Sequence, residues 1–222
     1  MAARFLDSTI GKKAVMAVTG VALVGFLVVH MLGNLQLYVP ANGGEPALDA
    51  YGRALREMLH GAGIWVARAG LLAAAAAHVW AAVTLAQLNK KARPVGYRNV
   101  RHTASTFGSR TMIVTGLLVL GFIVFHLLHF TTGTVHPTFE EGKVFQNVVS
   151  GFQVPWVSAF YIVAMLALAP HLRHGIWSLF QTLGLSHPRY DRLRVPVALG
   201  LTVLVVALNI SFPVAVLTGL VR

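Results

Sequence analysis

Five long apolar stretches, at about 14–38, 62–88, 109–133, 154–182 and 195–220, dominate this sequence. Each exceeds the roughly 20 residues that a helix needs to cross a bilayer. In hydrocarbon every backbone N–H and C=O must be satisfied within the chain, so only helices and closed barrels span it. A barrel needs alternating strands of about ten residues, and no such alternation is present. The expected fold class is all-α, an integral membrane bundle of five transmembrane helices forming a single domain, 1–222. Charged residues make up 11% of the chain, against about 25% in soluble domains, which agrees with lipid as solvent. The first stretch follows Arg4, Lys12 and Lys13 as a secretory leader would. It outruns a leader's apolar core of roughly 7–15 residues, so it is read as a retained span.

The net charge of +11 does not point to nucleic acid. The basic residues sit in short segments beside apolar runs, not on a basic face interleaved with aromatics. Their distribution instead sets orientation. Arg4, Lys12 and Lys13 precede the first span; Lys90, Lys91, Arg93, Arg98 and Arg101 separate spans two and three; Arg189, Arg192 and Arg194 separate spans four and five. The opposite loops carry Glu45, Asp49, Glu57, Glu140 and Glu141. Cytoplasmic loops are enriched in Lys and Arg, which places the N-terminus in the cytoplasm and the C-terminus outside. The first outer loop is expected to hold a short surface helix, opened by Pro46 and stopped by Gly61. Leu48, Leu55, Met58 and Leu59 would face lipid or protein, with Asp49, Arg53, Arg56 and Glu57 toward water. No internal repeat is expected. The alanine run 73–77 offers a neighbouring helix or a flat cofactor a close approach.

The chain has no cysteine, which excludes disulfides, thiolate metal sites and covalently attached c-type haem. It has ten histidines. His60, His102, His136 and His187 fall in loops or at the interface and read as ordinary solvated or turn residues. The other six, His30, His78, His126, His129, His171 and His174, lie within four of the spans. An ionisable side chain in lipid costs about 2–3 kcal/mol or more, so these imidazoles call for partners. At 1.5 Å rise per residue, His30 (17 residues past Lys13) and His126 (16 past Arg110) lie at roughly 25 Å from the cytoplasmic edge. His78 (12 before Lys90) and His171 (about 11 before Thr182) lie at roughly 17 Å. Paired histidines in two layers, each pair split between two helices, are what two bis-histidine haems b require. Gly25, Gly33, Gly121 and Gly175 would leave room for the rings. Zinc gathers four ligands at one point, which two layers about 8 Å apart cannot supply. Spacing alone does not choose between His126 and His129, or between His171 and His174.

These residues carry a resemblance. The run Ser8-Thr9-Ile10-Gly11-Lys12-Lys13, the segment His30-Met31-x-Gly33-Asn34, the pair Phe160-Tyr161 and His171-Leu172-x-His174-Gly175-x-Trp177-Ser178 are its most specific parts, with Phe180-Gln181-Thr182-Leu183-Gly184-Leu185-x-His187-Pro188 following. Across essentially its whole length the chain resembles the type-B diheme cytochrome b membrane anchor of succinate dehydrogenase and fumarate reductase. The resemblance implies that His30 and His126 hold a distal haem b and His78 and His171 a proximal one, the same pairs that depth suggests. It favours His171, four residues before Gly175, over His174. It favours His126, which follows Val124-Phe125, over His129. Some fumarate reductases of this type carry an intramembrane glutamate tied to proton movement. Here Ala169 stands two residues before the ligand and no span holds Asp or Glu, so that route is not expected.

The resemblance further implies a flavoprotein and an iron–sulfur partner on the cytoplasmic face of a bacterial inner membrane, and a higher-order oligomer of the complex is conceivable. Electrons would pass from the iron–sulfur subunit through two haems b to a quinone, with menaquinone expected, in a respiratory chain that meets the tricarboxylic acid cycle. The chain itself has no catalytic residue for succinate, since it lacks a nucleotide-binding fingerprint and cysteine ligands. Lys90, Lys91, Arg93, Arg98 and Arg101 are the expected docking charges. Arg68, about 9 Å inside span two, is a candidate for a haem propionate or a quinone carbonyl, and Arg173 is expected to snorkel. The rival readings are a diheme anchor of hydrogenase or nitrate reductase type, and a haem-free transporter. The cysteine-free sequence makes the topology directly testable: in right-side-out vesicles an impermeant maleimide is expected to label Glu141→Cys and not Lys90→Cys, and the reverse pattern inverts the orientation.

Overall fold

The computed structural model describes residues 2–41, 43–92, 107–185 and 187–222, with side chains from Phe5 onward. Among them there are helices and no strands. In chain order they are α1 (Ala2–Asp7), α2 (Thr9–Asn34), α3 (Ala47–Glu57), α4 (Ala62–Lys91), α5 (Phe107–His126), α6 (Val144–Phe152), α7 (Pro155–Thr182) and α8 (Pro188–Leu217). Helices α2, α4, α5, α7 and α8 provide five segments long and apolar enough to cross a membrane. A 3-10 turn, Leu35–Tyr38, extends α2, and a π turn, Leu127–Thr131, extends α5.

The sequence accounts for the helix ends. Ser8 caps α2 by accepting from the Gly11 N–H at 2.9 Å. Gly11 has no side chain because an added Cβ would collide with the Phe5 carbonyl of α1. Lys12, one of the basic residues that set the orientation, is buried and donates to the carbonyls of Leu6 and Asp7. The conspicuous 8–13 run thus folds α1 back on α2. Helix α8 starts seven residues before the expected 195, because Pro188 suits the first helical turn and His187 caps it, its Nδ1 accepting from Arg189 N–H at 3.1 Å. Arg189, Arg192 and Arg194 therefore belong to α8, not to a loop. Arg194 is buried, 2.9 Å from Asp191 and 5.6 Å over the Trp177 ring. Arg93, Arg98, Arg101 and His102 lie outside the described residues.

The surface helix forms as α3, with Pro46 as its cap rather than its first residue. It ends in three left-handed residues, Leu59, His60 and Gly61 (φ 54°, 54° and 87°), a conformation that costs a non-glycine side chain energy and turns the chain sharply into α4. Leu48 is buried, whereas Leu55, Met58 and Leu59 are exposed. Asp49 was expected to face water. Its Oδ1 instead accepts from the Phe145 N–H at 2.7 Å and caps α6, a helix that sequence periodicity left undetected. Gly33 was expected to make room for a cofactor, but the Tyr51 ring of α3 lies where its Cβ would be.

Two hairpins, α2 with α4 and α5 with α7, are the packing units, and α8 lies along α7. The hairpins touch chiefly where α2 meets α7. Extended packing of α4 against α5 or α7, or of α2 against α5, is not found among the described residues. Helix α7 is the most enclosed span. Its buried stripe, including Tyr161, Met165, Leu168, Leu172 and Ile176, joins one core at mid-span and another at the α3/α6 end. Asp49→Ala is expected to cost about 0.5–2 kcal/mol, as loss of a helix cap does, seen as a lower melting temperature in detergent that Asp49→Asn largely restores.

Candidate functional site

The sparsely packed seam between the hairpins is where two of the intramembrane histidines meet. His30 on α2 and His126 on α5 face each other with ring centroids 5.8 Å apart and planes at 85°. Two imidazoles on either side of one metal, each nitrogen about 2 Å from it, have centroids roughly 6 Å apart. Each is flanked by a phenylalanine one turn earlier, Phe26 at 5.3 Å and Phe122 at 5.8 Å. Toward the α1 end are His78 on α4 and His171 on α7. The His78 Nδ1 is 3.1 Å from Thr19 Oγ1 and the His171 Nδ1 is 3.3 Å from Thr115 Oγ1. Gly20 and Gly116 make room for these two rings: a Cβ there would sit 3.7 Å from His78 Cε1 and 3.3 Å from His171 Cε1.

His129 and His174 have different surroundings. His129 is fully buried between Phe125, Phe130 and His136, with centroids at 5.5, 4.1 and 4.8 Å, and its Nδ1 is 3.1 Å from Tyr161 Oη. Its Nε2 has no hydrogen-bond partner. The same Tyr161 hydroxyl lies 3.3 Å from His126 Nδ1. His136 is not the solvated loop residue expected. It is buried, its Nδ1 accepts from Thr138 N–H at 3.1 Å, and so its Nε2 carries the proton donated to the Asn147 carbonyl at 2.8 Å. His174 packs over Gly108 of α5 and lies 5.8 Å from Trp177. Arg68 is exposed, 4.9 Å over the ring of Trp65, which is exposed too. Arg173 is also exposed.

The shared surroundings reveal a repeat that the sequence reading missed. Met-x-Val-Thr-Gly-x4-Gly-Phe-x-Val-x-His occurs at 16–30 and again at 112–126, eight identities in fifteen positions. The signal was available, but the copies are 96 residues apart, with a dissimilar span between them. Both copies run in the same direction, so this is a parallel repeat. In each, the Thr-Gly pair receives the histidine of the next long helix, and the closing histidine faces its counterpart in the other copy. The repeat also corrects the depth estimate. His78 is level with Thr19–Gly20, eleven to ten residues before His30, which separates the layers by about 15 Å instead of 8 Å. The earlier figure took Lys13 and Lys90 as equally deep. In the fold, Lys90 is twelve residues beyond His78, so α4 reaches past the level of Lys13.

The residues fit a bis-imidazole macrocycle. His30 and His126 meet across the seam, His78 and His171 each lie against a Thr-Gly pair within their own hairpin, and among the described residues no three metal-ligating side chains converge. All four of these histidines are only half-buried. Open space adjoins Gly25, Gly121 and Gly175. The model for the succinate dehydrogenase/fumarate reductase transmembrane subunit matches residues 89–208, which is 120 of the 222. The chain belongs to that family. The match spans His126 and His171, while His30 and His78 precede it. No curated protein and no solved structure gives a match. In this family member Gly151 is pinned: a Cβ would lie 2.9 Å from His129 Cε1 and 2.9 Å from His136 Nε2. Gly151→Val is expected to displace both rings and destabilise the α3/α6 end by roughly 1–3 kcal/mol, measured as a lower melting temperature in detergent.

Proposed function

We propose that this chain is the cytochrome b anchor of a succinate:quinone oxidoreductase, with His30 and His126 holding one haem b and His78 and His171 a second. The observation that carries this reading is the His30–His126 pair facing across the seam, with His78 and His171 held alike against the Thr-Gly pairs of two like-built hairpins. Burial in lipid is tolerated for an imidazole whose free nitrogen binds iron and whose other nitrogen has a hydrogen-bond partner. The sealed setting of His129 leaves no approach for a flat ring and supports His126 as the ligand. The contact of His171 with the Thr115–Gly116 pair, matching that of His78 with Thr19–Gly20, supports His171 over His174.

Bound haem would supply one-electron carriers between an iron–sulfur partner and a membrane quinone, for which menaquinone is the expectation. The protein's part is to fix the imidazoles, keep the carriers in a dry bundle and set their spacing. Lys90 and Lys91, exposed at the end of α4, suit docking of the partner subunits at the cytoplasmic face, with Arg93, Arg98 and Arg101 beyond the described residues. Arg68 remains a candidate for a propionate or quinone.

The purified complex is expected to contain a flavoprotein, to reduce quinone with succinate and to show a reduced-minus-oxidised b-type spectrum with two haems per chain. A hydrogenase or nitrate reductase partner, or a flat visible spectrum, sinks this reading. His78→Ala and His171→Ala are each expected to remove the proximal signal and leave the distal one. Loss of the distal signal alone reverses the pairing.

A further inference from the structure

Each threonine in the repeat has one hydroxyl proton, and that proton is already committed. Thr19 Oγ1 donates to the Val15 carbonyl at 2.7 Å, with Met16 O at 3.2 Å. Thr115 Oγ1 donates to the Thr111 carbonyl at 2.9 Å, with Met112 O at 3.2 Å. Toward the facing imidazole, each hydroxyl oxygen is left with lone pairs only. The contacts of 3.1 and 3.3 Å therefore require the proton to be on Nδ1 of His78 and of His171. Both imidazoles are thus held as the Nδ1–H tautomer, with the Nε2 lone pair free.

At the other pair no threonine is hydrogen-bonded to a ring nitrogen among the described residues. His30 stacks on Phe26. His126 meets Tyr161 Oη, which it shares with His129. We infer that Thr19 and Thr115 are positioning residues that fix the ligand tautomer of His78 and His171 and make these imidazoles stronger donors. This rests on the haem reading above. A hydrogen bond from the distant ring nitrogen raises ligand basicity and steadies ring orientation. A stronger donor favours ferric over ferrous iron, so the threonines lower the midpoint potential of the haem between His78 and His171.

The test is a spectroelectrochemical redox titration of the whole complex, using Thr19→Val, Thr115→Val and the double variant, each beside its serine counterpart. Valine keeps the shape and removes the acceptor; serine keeps the acceptor. The proximal potential is expected to rise in the valine variants by up to a tenfold change in relative ferric affinity, about 59 mV for one electron. The serine variants stay close to the parent and the distal potential holds. If valine costs the proximal haem, serine decides: retention of haem and potential supports the inference, and loss overturns it. Valine variants that keep both haems with unchanged potentials, or serine variants that behave as valine, also overturn it. A parent protein without haem would instead defeat the proposed function.

Discussion

An imidazole brings one donor and one acceptor into the membrane, and hydrocarbon satisfies neither. That constraint organises the bundle. Where the protein supplies a partner for both nitrogens, as at His136, the ring is sealed into the packing. At His78 and His171 it supplies a partner for Nδ1 alone and the ring stays half-buried, whereas His129, also partnered at Nδ1 alone, is fully enclosed. A half-satisfied imidazole in lipid is costly unless something binds it, a need that the proposed haems would meet.

The architecture follows from using one hairpin design twice. Small residues let helices approach within a hairpin: Gly20 and Gly116 accept histidines, and Gly108 accepts His174. Gly25 and Gly121 are exposed, with open space where a Cβ would be. The hairpins are joined by α2 against α7, by α8, and by α3 and α6 at one end. There the Asp49–Phe145 and Tyr38–Ser211 bonds of 2.7 Å tie distant parts of the chain together.

Much of this was legible in the sequence for physical reasons. Crossing a bilayer demands length and apolarity, and both are visible locally, so the five spans were found. The succinate dehydrogenase/fumarate reductase resemblance was legible from the fourth-helix segment and agrees with the family match. What the sequence hid depends on tertiary contact. Asp49 looked like a solvated charge until α6 was brought to it. Lys12 and Arg194 looked only like charges that set orientation, although one caps α1 and the other lies over Trp177. Gly33 looked like a cofactor slot, but the nearby Tyr51 fills it. The depth of the layers was misjudged because charged residues mark a membrane edge only loosely when helices run past it.

The separation between histidine layers has an electrical consequence. Roughly 15 Å along the bundle axis, given ten to eleven residues at 1.5 Å each, is about half of a 30 Å hydrocarbon core. An elementary charge carried across a whole membrane exchanges about 2.3 kcal/mol per 100 mV with the transmembrane field. Moving one between the layers therefore exchanges about 1 kcal/mol per 100 mV, and no Asp or Glu occurs among residues 19–30, 67–78, 115–126 or 160–171 to carry a compensating proton. On the proposed two-haem reading, electron transfer between the layers is sensitive to the voltage of the membrane in which the chain sits.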